Sequence, residues 1–276
     1  LAVELPLNSG ESLASNHSIR LLLQGRTREI ETLNPIHHWQ TGEEITNLVN
    51  EESKVGLTYF WKSQRPHRDQ LFLPRDGVGV MVHAETTVPD LYGNNDYQQV
   101  WLEGFFNWNI PKLPGVFYQR LKWVAQSGDI LVQDEIGFSE SAPLYFSGSY
   151  WTTLRGLGLF DSPEAFGLRG QEGNYSGKEL VYSVSEFRLP LIPEVPLNIL
   201  GFGLQNLTIA GFFDYGYLPE SETALHTYGA EFRFDLSLMK QSLITLAYGW
   251  GGDEDYWDKN QELNNGYIRL AMVNPF

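Results

Sequence analysis

Alternation of apolar and polar residues with a period of two recurs along this chain and restricts what it can fold into. The clearest case is YGAEFRFDLSL, residues 228–238, where aromatic and aliphatic residues alternate with Gly229, Glu231, Arg233 and Asp235. Successive side chains of a β-strand point to opposite faces of a sheet, so this pattern predicts strands with one apolar and one polar face. Spacing typical of amphipathic helices is weak throughout, and the chain is predicted to be all-β.

About eleven such runs occur, most of them about 9–12 residues long. They begin near Val3, Ile19, Val55, Gly77, Gln99, Val116, Leu180, Leu207, Tyr228, Leu243 and Tyr267. Strands of soluble proteins are usually about 5–6 residues long, whereas a tilted strand needs about 9–11 residues to cross a bilayer. The length of the runs therefore favours an antiparallel transmembrane β-barrel.

Aromatic residues support the same interpretation. They make up 14% of the chain and cluster at predicted strand ends, for example at 59–61, Trp108, Trp123 and Trp250. Transmembrane barrels carry such aromatic girdles at both membrane interfaces. A soluble β-sandwich or lipocalin-like barrel is the alternative, but it would place the charges of one face in a dry core. No run of 18 apolar residues occurs, so no helical membrane span is predicted.

The connections between the runs alternate in length. The segments 109–116 and 235–243 are short, whereas 217–227, 251–266 and the Gly-rich region 127–178 are long and polar. Outer-membrane barrels have short periplasmic turns and longer extracellular loops. Residues 127–178 are therefore predicted to form a long extracellular loop.

Composition excludes several classes of function. The chain has 34 acidic and 19 basic residues, and its net charge of -15 would repel the phosphates of a nucleic acid. It has no cysteine, which excludes disulfides and thiolate metal sites. His37 and His38 are adjacent without a third ligand nearby, and the acidic segment 253–258 lacks the spacing of a calcium-binding loop. Because catalytic and nucleotide-binding motifs are also absent, no enzyme, metal site or cofactor is predicted.

Three motifs, taken in order, resemble a known family. FGLRGQ contains Arg169 and Gly170, SEFRLPL contains Glu186, and GFFDYGY contains Asp214. Their order and spacing resemble the Arg-Gly loop and the two strands after it in the Omp85 superfamily, the outer-membrane barrels of the BamA, TamA and surface-antigen type. The resemblance covers about residues 70–276.

The chemistry of these residues agrees with the resemblance. Arg169 stays charged and presents a planar fork of donors, so a loop that carries it into a barrel needs inward-pointing acceptors. Glu186 and Asp214 fall at predicted lumen-facing positions on adjacent strands, where both can accept charge-assisted bonds. Gly170 allows close approach of the backbone. The resemblance implies that this contact locks the loop inside the lumen.

A second Arg-Gly pair, Arg155 and Gly156, lies in the same loop and is an alternative for this lock. Arg169 is preferred because it lies 17 residues before Glu186, with a Gly-rich segment between them. Gln171 stands where the family has an aromatic residue.

The last run resembles an outer-membrane sorting signal, an alternating strand from Tyr267 followed by the terminal aromatic Phe276. Barrels of the resembling family have 16 strands, so residues 1–276 are expected to be the C-terminal part of a larger barrel, with about five strands upstream. The opening LAVELPLNSG has neither Met nor a basic leader region, as in a processed chain or a fragment.

The resemblance also implies a cellular location and a function. It implies a bacterial or organellar outer membrane, with outer-membrane lipids and lipopolysaccharide around the barrel. The expected function is to assist the insertion, assembly or translocation of proteins there, with unfolded outer-membrane proteins or periplasmic proteins as partners. A passive pore, or a membrane anchor for a fused or bound periplasmic module, is the alternative.

Overall fold

The computed structural model describes twelve segments of the chain, and the structural statements below concern these residues. They are residues 2–7, 15–29, 49–64, 76–93, 95–130, 135–139, 165–169, 175–192, 197–199, 202–238, 242–253 and 267–273. Within these segments the chain forms β-strands joined by turns. No helix in them is long and apolar enough to cross a membrane.

Fifteen strands are found in the described segments. They are β1 (Ala2–Pro6), β2 (Ser15–Glu29), β3 (Val49–Gln64), β4 (Gly77–Thr87), β5 (Asp96–Asn109), β6 (Val116–Asp129), β7 (Ile136–Ser139), β8 (Ala165–Gly167), β9 (Tyr175–Gly177), β10 (Glu179–Ile192), β11 (Leu197–Ile199), β12 (Phe202–Leu218), β13 (Thr223–Leu238), β14 (Ser242–Gly252) and β15 (Tyr267–Val273).

Eleven of these strands are neighbours along one antiparallel sheet, in the order β1-β2-β3-β4-β5-β6-β10-β12-β13-β14-β15, and β11 pairs with β12. The predicted all-β, antiparallel architecture is thus confirmed, and each of the eleven predicted runs falls in one strand of this path. No pairing between described residues joins β1 to β15, so the sheet is open.

The main strands are longer than the sequence pattern predicts. Seven of them have 14 to 17 residues. The prediction of a long loop at 217–227 is wrong, because β12 and β13 remain paired up to Leu218 and Thr223. A tight turn joins them, in which the N–H of Glu222 donates to the carbonyl of Pro219 at 3.3 Å. Polar composition made these paired strand ends look like a loop.

The sheet has an exposed apolar face and a buried polar face. In β5 the two sets alternate residue by residue. The exposed set includes Val100, Leu102, Phe106 and Trp108, and the buried set includes Gln99, Trp101, Glu103 and Asn107. A half-buried sheet of a soluble protein has the opposite arrangement, with its apolar face covered and its polar face in water.

Contacts on the polar face also join strands that are not neighbours in the sheet. The Tyr97 hydroxyl on β5 donates to Glu52 on β3 at 3.2 Å. Arg233 on β13 likewise donates to Glu186 on β10 at 2.6 Å. Each contact passes over one intervening strand, a distance of about 9–10 Å that two long side chains can span.

A second, three-stranded sheet, β8-β7-β9, lies between β6 and β10 in the chain and packs on this polar face. Phe138 of β7 lies beside Tyr182 of β10, with ring centroids 6.2 Å apart. It also covers Gly216, where an added Cβ would come within 2.4 Å of the ring. The cluster around it comprises Trp101, Val124, Ile136, Phe138, Leu168, Leu180, Tyr182, Val184 and Leu218. Part of the segment between β6 and β10 is therefore folded back onto the sheet.

Candidate functional site: a buried arginine cluster

Strand register places two carboxylates side by side on the polar face. In the antiparallel pair of β10 and β12, Val184 is opposite Asp214 and Glu186 is opposite Phe212. Glu186 and Asp214 therefore lie one pleat apart on the same face. Both are buried, at 4% and 0% exposure. Two buried carboxylates this close need cationic partners.

Arg169, just after β8, supplies such a partner. Its Nε donates to Oδ2 of Asp214 at 2.7 Å, and its Nη2 donates to the other carboxylate oxygen. Its Nη1 donates to Glu186 at 2.6 Å, and its backbone N–H donates to Asp214 at 3.2 Å. One side chain thus joins the folded-back segment to two strands. The structure brings together the three charged residues that the sequence singled out.

Three further charged residues complete the site, here called the arginine cluster: Arg169, Glu186, Arg188, Asp214, Glu231 and Arg233. Arg188 donates to Glu186 at 2.6 Å. Arg233 donates to Glu186 at 2.6 Å and to Glu231 at 2.6 Å. Glu231 lies 3.5 Å from Nη1 of Arg169.

Sequence reasoning missed these additional members, although their signal was present. Glu231 and Arg233 alternate with apolar residues in the clearest strand pattern. This pattern predicts that both lie on the polar face, but it does not predict their part in the site. Arg188 follows Glu186 by two residues and so shares its face. The missing information was the strand order β10-β12-β13, which places the three strands side by side in the sheet.

Aromatic rings flank two of the guanidinium groups. The guanidinium carbon of Arg169 lies 3.8 Å from the centroid of the Phe212 ring, and that of Arg188 lies 3.9 Å from the Tyr118 ring. A cation over a ring face gains about 0.5–2 kcal/mol, with more when it is desolvated. Phe212 lies in the GFFDYGY motif but was not among the predicted site residues.

The cluster is electrically balanced, with three guanidinium groups against three carboxylates. Burial lowers the pKa of Arg169, but Asp214, Glu186 and Glu231 together raise it well above its ordinary value. Arg169 therefore carries a positive charge in the cluster. The arrangement can bind and position a segment of chain. Among the described residues no group of His, Cys, Asp or Glu is arranged to hold a metal ion.

The other predicted site residues are less fully placed. Gly170, Arg155, Gly156 and Phe276 lie outside the described residues. Tyr267 begins β15 and pairs with Gly249 of β14. The choice between the two Arg-Gly pairs thus rests on the observed position of Arg169.

A second polar cluster lies on β3, β4 and β5, away from the arginine cluster. Lys54 is 3.2 Å from Glu85 and 3.3 Å from Glu52. His83 shares a hydrogen bond of 2.7 Å with Thr58 and lies 3.2 Å from Glu85. Charged groups on the polar face thus find partners at both positions.

Comparison with protein-family models finds no match to this chain, and comparison with curated protein sequences finds none either.

Proposed function

We propose that this chain is part of an outer-membrane β-barrel similar to those of the Omp85 superfamily. In this proposal, the barrel assists the insertion, assembly or translocation of proteins. The observation that carries the proposal is the arrangement of the sheet, whose outer face exposes apolar side chains and whose covered face holds charged side chains beside a hydrophobic cluster. Leu57, Leu102 and Leu121 are 53%, 43% and 54% exposed, whereas Glu103 is 3% exposed. Exposed apolar faces of this extent mark a surface that contacts lipid or a partner.

In this proposal the apolar face contacts outer-membrane lipids and lipopolysaccharide, and the polar face lines a lumen. The segment between β6 and β10 is then the predicted extracellular loop, folded inward. The arginine cluster supports this part of the proposal, because it fixes Arg169 of that segment against β10 and β12. The membrane is bacterial or organellar.

The proposed activity has no chemical step. An exposed strand edge offers unpaired N–H and C=O groups, onto which an incoming strand can add by backbone hydrogen bonds. The edge of β15 would form one side of such a seam. Incoming unfolded outer-membrane proteins, or periplasmic partner proteins, would be the partners.

The test is reconstitution into lipid vesicles. We expect the chain to insert and to become resistant to protease, and to accelerate the folding of an unfolded outer-membrane protein added to the vesicles. A chain that is monodisperse in buffer without detergent, and that does not enter vesicles, would overturn the membrane proposal.

A passive pore is the second candidate, and the charged polar face supports it. Ion conductance across the vesicles without accelerated folding of the added protein would favour this candidate. Insertion with neither conductance nor accelerated folding would favour a membrane anchor for a periplasmic module.

A further inference from the structure

The arginine cluster consists of a wall and a loop residue. The wall comprises the five charged residues on β10, β12 and β13, which are Glu186, Arg188, Asp214, Glu231 and Arg233. The loop contributes Arg169. Because the wall has three carboxylates and two guanidinium groups, it is one positive charge short, and Arg169 supplies that charge.

The cations of the wall satisfy two of its three carboxylates without help from the loop. Glu186 accepts from Arg188 at 2.6 Å and from Arg233 at 3.0 and 2.6 Å. Glu231 accepts from Arg233 at 2.8 and 2.6 Å. These contacts are made within β10, within β13 and between these two strands, so none of them involves the loop.

Asp214 is the exception among the three carboxylates. Within the described part of the chain, all hydrogen bonds donated to its side chain come from Arg169. It is also fully buried, with 0% exposure. Displacement of Arg169 therefore leaves this carboxylate with no donor among the described residues, and it must then take up either a proton or a new cation.

The surface on which the guanidinium lies also belongs to the sheet. The Phe212 ring faces Arg169 on one side, at 3.8 Å. It rests against Gly251 of β14, where an added Cβ would lie 2.5 Å from the ring. The ring is thus in contact with β14 as well as with Arg169, and the contact with β14 does not involve the loop.

We infer that the wall is a preformed binding site for a guanidinium group, with Asp214 and Phe212 as the residues that select it. A planar guanidinium can give a two-pronged bond to Asp214, bond Glu186 and stack on Phe212 at the same time. A compact ammonium group cannot match that geometry. When Arg169 is absent or withdrawn, the site accepts a guanidinium ion or an arginine side chain of another polypeptide. This inference goes beyond the proposed function, since it holds with or without a membrane.

The test uses the full chain carrying Arg169→Ala, titrated with guanidinium chloride at millimolar concentrations, far below those that denature proteins. We expect a saturable rise in the thermal midpoint, about 2–3 °C at ten times the dissociation constant. Ammonium chloride and sodium chloride at the same concentrations are expected to give no saturable rise. The tripeptide Gly-Arg-Gly, compared with Gly-Lys-Gly, shows whether an arginine side chain is also accepted.

Two matched controls identify the site. The unmodified chain, whose site Arg169 already fills, should show no saturable rise. The double variant R169A/D214N should lose the rise, because the buried charge is gone. The absence of a rise in R169A, or an equal rise in R169A/D214N, would overturn the inference.

A variant that fails to fold also gives an answer. If R169A folds only when guanidinium is present during refolding, and not with ammonium, the inference is supported. If R169A does not fold under either condition, the same titration is carried out with R169K, which keeps a cation in the loop. The absence of a guanidinium effect in both variants overturns the inference.

Discussion

At the scale of the residue, Arg169 joins the segment between β6 and β10 to two strands of the large sheet. It bonds Asp214 through two side-chain nitrogens and its backbone N–H, bonds Glu186, and stacks on Phe212. Each partner was available from the sequence as a motif residue. The sequence did not show that the site also holds Arg188, Glu231 and Arg233, which raise the number of carboxylates and guanidinium groups to three each.

Arg169→Ala should therefore destabilise the protein strongly. Removing one partner of a buried ion pair typically costs about 3–5 kcal/mol, because the carboxylates that remain are left uncompensated. The free energy of unfolding in denaturant measures this loss, and electrophoretic resistance of the folded protein to heat gives a second readout.

Arg155→Ala is the matched control, since it removes the same side chain from the other Arg-Gly pair. We expect it to leave the free energy of unfolding nearly unchanged. An equal loss in this variant, with none in R169A, would transfer the lock to Arg155.

At the scale of the element, close packing of the small sheet on the large one depends on a glycine. Gly216 of β12 lies under the Phe138 ring, and the register of β12 places it on the same face as Asp214. The GFFDYGY motif thus combines three contacts on alternate residues: Phe212 under Arg169, Asp214 beside it, and Gly216 under Phe138. The period of two explains this spacing.

Gly216→Val should separate the two sheets. A Cβ at this position comes within 2.4 Å of Phe138, and overpacking of this kind typically costs about 1–3 kcal/mol. We expect faster protease cleavage in the segment between β6 and β10 and a lower free energy of unfolding.

Gly211→Val, on the same strand, is the control for β propensity alone. Gly211 is exposed and has no atom within 4 Å of an added Cβ. Equal effects of the two substitutions would show that Phe138 does not need the space at Gly216.

At the scale of the whole molecule, the exposed apolar face is the part of the sheet on which the proposed contact with lipid can be tested. A charge placed at the middle of a lipid-facing strand costs about 2–4 kcal/mol, but only about 0–1 near the membrane interface. In water, the same charge on an exposed position has almost no cost.

Leu121→Arg, near the middle of β6, is therefore expected to lower the free energy of unfolding in lipid bilayers by about 2–4 kcal/mol. Gln98→Arg, an exposed position near the end of β5, is the control and should cost at most about 1 kcal/mol. Unfolding by denaturant in vesicles measures both. Equal and small effects would contradict the assignment of this face to lipid.

The sequence by itself determined the strands, their faces and three members of the cluster. Period-two alternation fixes which side of a strand each residue takes, so Glu186 and Asp214 were placed on one face before any contact was known. Alternation is local information. Beyond the face of each residue, it predicts only that consecutive runs pair with each other.

Tertiary structure decided what alternation cannot express. The tight turn at 219–222 depends on backbone pairing of β12 with β13, which overrides the polar composition of that segment. The contact of Arg233 with Glu186 depends on the strand order, which leaves only β12 between β13 and β10. The docking of Phe138 on Gly216 depends on a segment that returns to the sheet from far along the chain. These contacts join residues that are distant in sequence. The local period of two therefore carries no information about them.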